Sequence, residues 1–185
     1  HYVNHVTFSP SSESFVFFHR WQIPNREWTR MISYHIPSGR WHLFKTAGML
    51  SHVAWQDDTH VLAWARLPGE TSDRQVLFED GTDRIQVIGK QTITSDGHPT
   101  WAPDGTWFLS DTYPNRSRMT SLYRFDLASG RRSDLARLYH PFRFSGDQRV
   151  DLHPRLNRSG TRACFDAVVD GSRALCTMDL TRLAD

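Results

Sequence analysis

The chain has 185 residues, enough to bury one core or about one and a half by the usual length prior. Its 22 basic and 20 acidic side chains leave a net charge of +2, and no run of lysine or arginine forms a nucleic-acid stripe, so no nucleic-acid partner is expected. No apolar run approaches the about 18 residues that cross a bilayer, so no membrane insertion is expected.

Seven tryptophans, eleven phenylalanines and ten histidines are the distinctive counts. They suit a sheet-rich protein in which some polar aromatics line a site and many others are core. Cys164 and Cys176 are too few for a disulfide framework and lack CxxC spacing. The chain opens at His1 without an initiator methionine, which reads as a fragment or a processed piece.

In chain order, HVTF, FVFFHRW, WTRMISYHI and RWHLF read as four strands, the last two joined by a PSG turn. HVAW and HVLAWAR open a second such group, and PTW, TWFLSDTY, TSLYRFDL and RRSDLARL make a third. A fourth begins at HPRLNRSGTRACFDAV and reaches LCTMDL with no clear fourth strand. Alternating apolar residues bounded by Gly, Pro, Asn, Asp and Ser favour antiparallel strands with short turns, and no helical period is sustained.

These groups share one grammar. Each starts with a histidine, His5, His52, His98 or His153, followed three positions later by Phe8, Trp55, Trp101 or Leu156. The histidine spacings are 47, 46 and 55 residues. A repeat of about 40–50 residues with four strands indicates propeller blades. The expected fold is therefore all-β, a β-propeller of four-stranded antiparallel blades within a single segment 1–185. The blades are placed at 5–47, 48–92, 93–140 and 150–185, with a long loop over 139–152. An incomplete array is favoured over a closed four-bladed ring, so remaining blades or another chain would be needed to close it.

The first strand of a propeller blade is the innermost, so the four histidines are expected near one end of a central channel. Neutral imidazoles gathered there can hold a metal, accept a proton or hydrogen-bond a polar ligand. The alternative is structural: a histidine beside a turn satisfies a buried carbonyl, and duplication copies it. His52, His98 and His153 are the metal candidates, with Cys164 as a soft fourth ligand or else a small core residue. A His and Cys set favours zinc as the divalent cofactor, whereas manganese or calcium would draw on carboxylates and waters.

Three further features supply ligand-binding candidates. In FFHRW, His19 and Arg20 alternate in facing, and an arginine fork suits a carboxylate or sulfate. Arg66 of LAWAR occupies the matching place in the second blade. The long loop carries Tyr139, His140, Arg143 and Arg149, and is either a binding loop or a plain connection. Asp57 and Asp58 stand where other blades have PSS or PDG and read as turn residues. No GxSxG, P-loop, GxGxxG or HExxH pattern occurs, which removes support from hydrolase, nucleotide and zincin chemistries.

HVTFSP with FFHRW, SHVAW, DGHPTWAPDG, DTYP and DLHPR resembles the propeller polysaccharide lyases, the oligogalacturonate and ulvan lyases with TolB-like SPDG blades. The resemblance covers nearly the whole chain, as the C-terminal part of a seven-bladed ring. It implies β-elimination on a uronate-containing anionic polysaccharide or oligosaccharide, with His5 as the base and Arg20 neutralising the substrate carboxylate. His52 and His98 match metal-binding histidines, and His153 and Cys164 resemble further ligands of a zinc site. His19, Arg66, Tyr113, His140 and Arg143 join as substrate-binding candidates. A secreted or periplasmic location is favoured. FFHRW departs from the CHEG-like segment of the oligogalacturonate lyases. The competing expectation is a non-catalytic TolB-like propeller that binds a protein or glycan.

Overall fold

In the computed structural model, which describes residues 1–182, the chain is built from antiparallel sheets whose order follows the sequence. The first sheet contains β1 (Tyr2–Phe8), β2 (Ser14–Ile23), β3 (Arg26–His35) and β4 (Arg40–Leu43). The second contains β5 (Leu50–Trp55), β6 (His60–Arg66), β7 (Asp73–Glu79) and β8 (Ile85–Ile88). The third contains β9 (Thr100–Trp101), β10 (Trp107–Asp111), β11 (Met119–Asp126) and β12 (Arg132–Tyr139). The fourth has, among the described residues, three strands, β13 (Arg155–Leu156), β14 (Arg162–Val169) and β15 (Ser172–Asp179). Such sequential, hairpin-joined sheets are propeller blades. The last positions of the fourth blade expected from sequence, 183–185, lie outside the described residues. Helix is confined, among the described residues, to a 3-10 turn at Gly146–Gln148 in the long loop, and no helix is long and apolar enough to cross a membrane.

The chain divides into two compact units, His1–Thr94 and Ser95–Asp185, each holding two blades. In the first unit, strand alternation sends Val16, Phe18 and Met31 to one face of the first blade. There they form a single core with Val61, Ala63, Val76 and Phe78 of the second blade. Phe18 is fully buried, and burial of a side chain of that size contributes about 1.5–3 kcal/mol. Polar links reinforce this packing: Trp55 Nε1 donates to the Thr7 carbonyl at 3.0 Å, and the Ser11 amide donates to Asp58 at 2.7 Å. In the second unit Leu122, Leu152, Phe165 and Ala167 form a core with Leu138, Cys176 and Met178 packed against it.

Turn chemistry fixes where the strands reverse. The Asp57 carboxylate accepts from the amides of Thr59 and His60, and Asp104 and Asp126 accept from Thr106 and Ser129. These side chains mimic a backbone turn, while Gly105 and Gly130 supply φ values of 67° and 66° that an L side chain resists.

The innermost strands fall into two kinds. β1 and β5 are seven and six residues long, and His5 and His52 sit inside them at register shifts between Asn4 and Thr7 and between Ser51 and Val53. β9 and β13 are two residues long and begin after His98-Pro99 and His153-Pro154. Proline lacks the amide that a ladder needs, so pairing starts only beyond it. The histidines thus lie within bulged strands in the first unit and ahead of short strands in the second, rather than all at strand heads.

Candidate functional site

His5, His52 and His153 share left-handed backbone, with φ of 54°, 40° and 43°. Each such conformation costs a residue other than glycine about 1–3 kcal/mol and is retained where the side chain must be aimed. In the first unit the His5 ring stacks on Phe18 at 5.0 Å and meets His52 edge-on at 6.3 Å. His52 Nδ1 lies 2.8 Å from Ser51 Oγ. Arg20 shares the Phe18 ring with His5, its guanidinium 5.2 Å from the ring centre, and is paired with Glu27 at 3.1 Å. His19 faces the other side, accepting from Arg30 Nε at 3.0 Å beside Trp21. Arg66 pairs with Asp73 at 2.7 Å.

The second unit holds a denser constellation. His98 is buried, and its Nδ1 lies 2.9 Å from both carboxylate oxygens of Asp111 at the end of β10. The same carboxylate accepts the His98 amide at 2.6 Å and the His153 amide at 3.0 Å. One buried acid therefore fixes the His98 ring and both histidine backbones. The two rings consequently lie 3.7 Å apart. Gly97 makes this approach feasible, since a Cβ there would stand 1.9 Å from the Asp111 carbonyl oxygen.

Burial raises the Asp111 carboxyl, but the hydrogen bonds and charge of His98 and the two amides outweigh it and hold the group below the ordinary carboxylate value. Burial, then the neighbouring His98, lowers the His153 imidazole and favours the neutral form that ligates metals. Tyr113 crosses His98 edge-on at 5.8 Å. Burial, then the charges of Asp96 and Asp151, pushes its phenol up to about 12 and keeps it protonated at neutral pH.

His98, Asp151 and His153 each offer a ligand atom within 4.8 Å of the others. This set suits a divalent ion: two imidazoles and one carboxylate serve zinc or manganese. With Nδ1 committed to Asp111, Nε2 of His98 would be the ligating atom, and Asp111 would act as the outer carboxylate that orients metal-binding histidines. Cys164 lies on β14 opposite Arg155 and Thr177 and is not a member of this cluster. His52 belongs to the first unit.

In the long loop, His140 is buried, accepting the Val150 amide at Nε2 (3.0 Å) and contacting Arg118 at Nδ1 (2.6 Å). It anchors the loop that carries Val150, Asp151 and His153. Arg143 is exposed and lies over Phe144. Sequence reasoning missed Asp111 and Asp151. For Asp151 the available signal was the D-x-H-P shared by DGHP and DLHP at the heads of the third and fourth blades, which marks Asp96 and Asp151 but not Asp111.

No protein-family model matches the chain, and no curated protein matches its sequence. Solved structures do resemble it. TolB from Acinetobacter baumannii superposes with a TM-score of 0.66 at 14% identity over 97% of this chain and 41% of that one. An oligogalacturonate lyase in complex with manganese gives 0.56 at 13% identity over 93% and 63%. The tricorn protease gives 0.67 at 9% identity over 96% and 21%. The chain thus spans less than two thirds of each of these proteins, and the likeness establishes its fold as an all-β propeller.

Proposed function

We propose that the chain supplies the metal centre and part of the substrate site of a polysaccharide lyase propeller, which cleaves a uronate-containing anionic glycan by β-elimination. The observation that carries this reading is the His98, Asp151 and His153 cluster braced by Asp111. A structural histidine needs one partner, whereas here a buried acid orders two histidines so that their donor atoms converge with a third.

A base would remove the proton alpha to the uronate carboxylate, electrons would flow into a new C=C bond, and the glycosidic oxygen on the β-carbon would leave. The cation, when bound, supplies electrostatic stabilisation of the enolate-like charge. His98 and His153 would present ring nitrogens to it, and Tyr113 would offer a protonated phenol to a sugar oxygen. His5 as base and Arg20 as carboxylate partner rest on the family resemblance. In this reading zinc or manganese serves equally, and further blades complete the propeller.

A second reading is a binding propeller of the TolB kind. It draws on the latch itself: Asp111 ties the chain ahead of β9 and β13 to the end of β10, a sufficient structural role. Incubation of full-length protein with uronate polysaccharides separates the two. Unsaturated product absorbing in the ultraviolet, formed only with a divalent cation, supports the lyase; its absence with every uronate polymer and cation leaves the binding propeller.

A further inference from the structure

Asp151 has two claimants. Its carboxylate belongs to the cluster that converges on a cation position, yet both of its oxygens are already taken by Arg149, Nε to Oδ1 at 2.6 Å and Nη2 to Oδ2 at 2.8 Å. A bidentate fork of this kind is among the stronger ion pairs and orients the carboxylate. The Arg149 guanidinium lies 4.4 Å from the Tyr113 ring centre, and that ring in turn meets His98 edge-on. Arginine, aromatic ring and metal-ligand histidine form one contiguous row.

A divalent ion on His98, Asp151 and His153 would draw density from the Asp151 carboxylate and place two positive charges next to the guanidinium. The Arg149 pairing would weaken for that reason, while the Tyr113 face would keep the guanidinium in place. The released fork would then face the cation position, and an incoming carboxylate would neutralise both.

We propose that Arg149 is an exchangeable carboxylate receptor: it holds Asp151 until a cation takes that ligand, and then binds the uronate carboxylate of the glycan. The inference rests on the metal reading above and adds a specificity residue to it. Cation and uronate should then bind with positive coupling, each tightening the other. Lysine would not substitute, because it lacks the planar fork.

The test is calorimetric titration of the full-length protein with Mn2+ alone, then with glucuronate in the presence and absence of Mn2+, glucose serving as the neutral control. Wild type, Arg149→Gln, Arg149→Lys and Asp151→Asn are compared, and their thermal midpoints show that each is folded. We expect Asp151→Asn to lose about tenfold or more in Mn2+ affinity and Arg149→Gln to bind Mn2+ as tightly as wild type or several-fold tighter. Mn2+ should raise wild-type glucuronate affinity about fivefold or more, and both Arg149 variants should lose that gain. If Arg149→Gln weakens Mn2+ binding as Asp151→Asn does, Arg149 only positions the ligand and the proposal fails while the metal reading stands. Equal glucuronate affinity in wild type and Arg149→Gln with Mn2+ present also overturns it. No Mn2+ binding by the wild type removes the metal reading and this proposal together.

Discussion

Asp111 grips His98 at both backbone and ring: its carboxylate accepts the His98 amide at 2.6 Å and lies 2.9 Å from Nδ1 through each oxygen. The same group takes the His153 amide, so a single buried acid sets the separation of two candidate ligands from different blades. Asp111→Ala should destabilise the protein by about 3–5 kcal/mol, because it strands buried donors. Asp111→Asn, which keeps the shape but loses the charge, should weaken cation binding about 10–100-fold. Denaturant titration and calorimetry read the two effects.

Gly97 is constrained by the same contact. Its absent Cβ is the space occupied by the Asp111 carbonyl oxygen, so Gly97→Ala should cost about 3 kcal/mol through forced backbone movement. The loss should appear as a lowered denaturation midpoint with unchanged slope.

His5 separates strain from service. Its φ of 54° suits glycine, so His5→Gly should leave stability unchanged or raise it by up to about 1 kcal/mol, whereas His5→Ala retains the strain. If His5 is the base, both variants lose turnover on a uronate polymer while keeping the cation. Full turnover in His5→Gly would remove His5 from the chemistry.

Stability should also depend on pH through His140 and His153. Burial, with Arg118 beside the one and His98 beside the other, lowers both imidazoles in the folded state. Between those lowered values and the ordinary 6.5 the unfolded chain binds more protons, so stability rises with pH across that window and levels off above it. Asp111 acts in the acid range: its contribution is full above the ordinary 3.8 and is lost as pH falls through its lower folded value. Thermal midpoints recorded from pH 4 to 8 should therefore climb toward neutrality, and His140→Gln should reduce the climb.

The blade plan was legible because it rests on local signals: strand alternation, the PSG, PDG and RSG turns, and a histidine repeated at similar spacing. The bulges at His5 and His52 were not legible, since a register shift depends on the partner strand rather than on the residue itself. Asp111 and Asp151 were missed for different reasons. DTY reads as the end of an ordinary strand, and only the folding of β10 beside the DGH segment turns Asp111 toward His98. Asp151 lies in the long loop, whose path is set by the buried anchor His140 and its contacts with Arg118 and Val150. Cys164 drew notice as a soft ligand, but the facing of β14 is decided by its pairing with β13 and β15.

The most direct test of the account is elemental analysis of the purified full-length protein beside its His98→Ala variant, after dialysis against trace zinc and manganese. About one divalent ion per chain is expected in the wild type, and its loss in His98→Ala. A metal-free wild type, or a His98→Ala protein that keeps full occupancy, would contradict it.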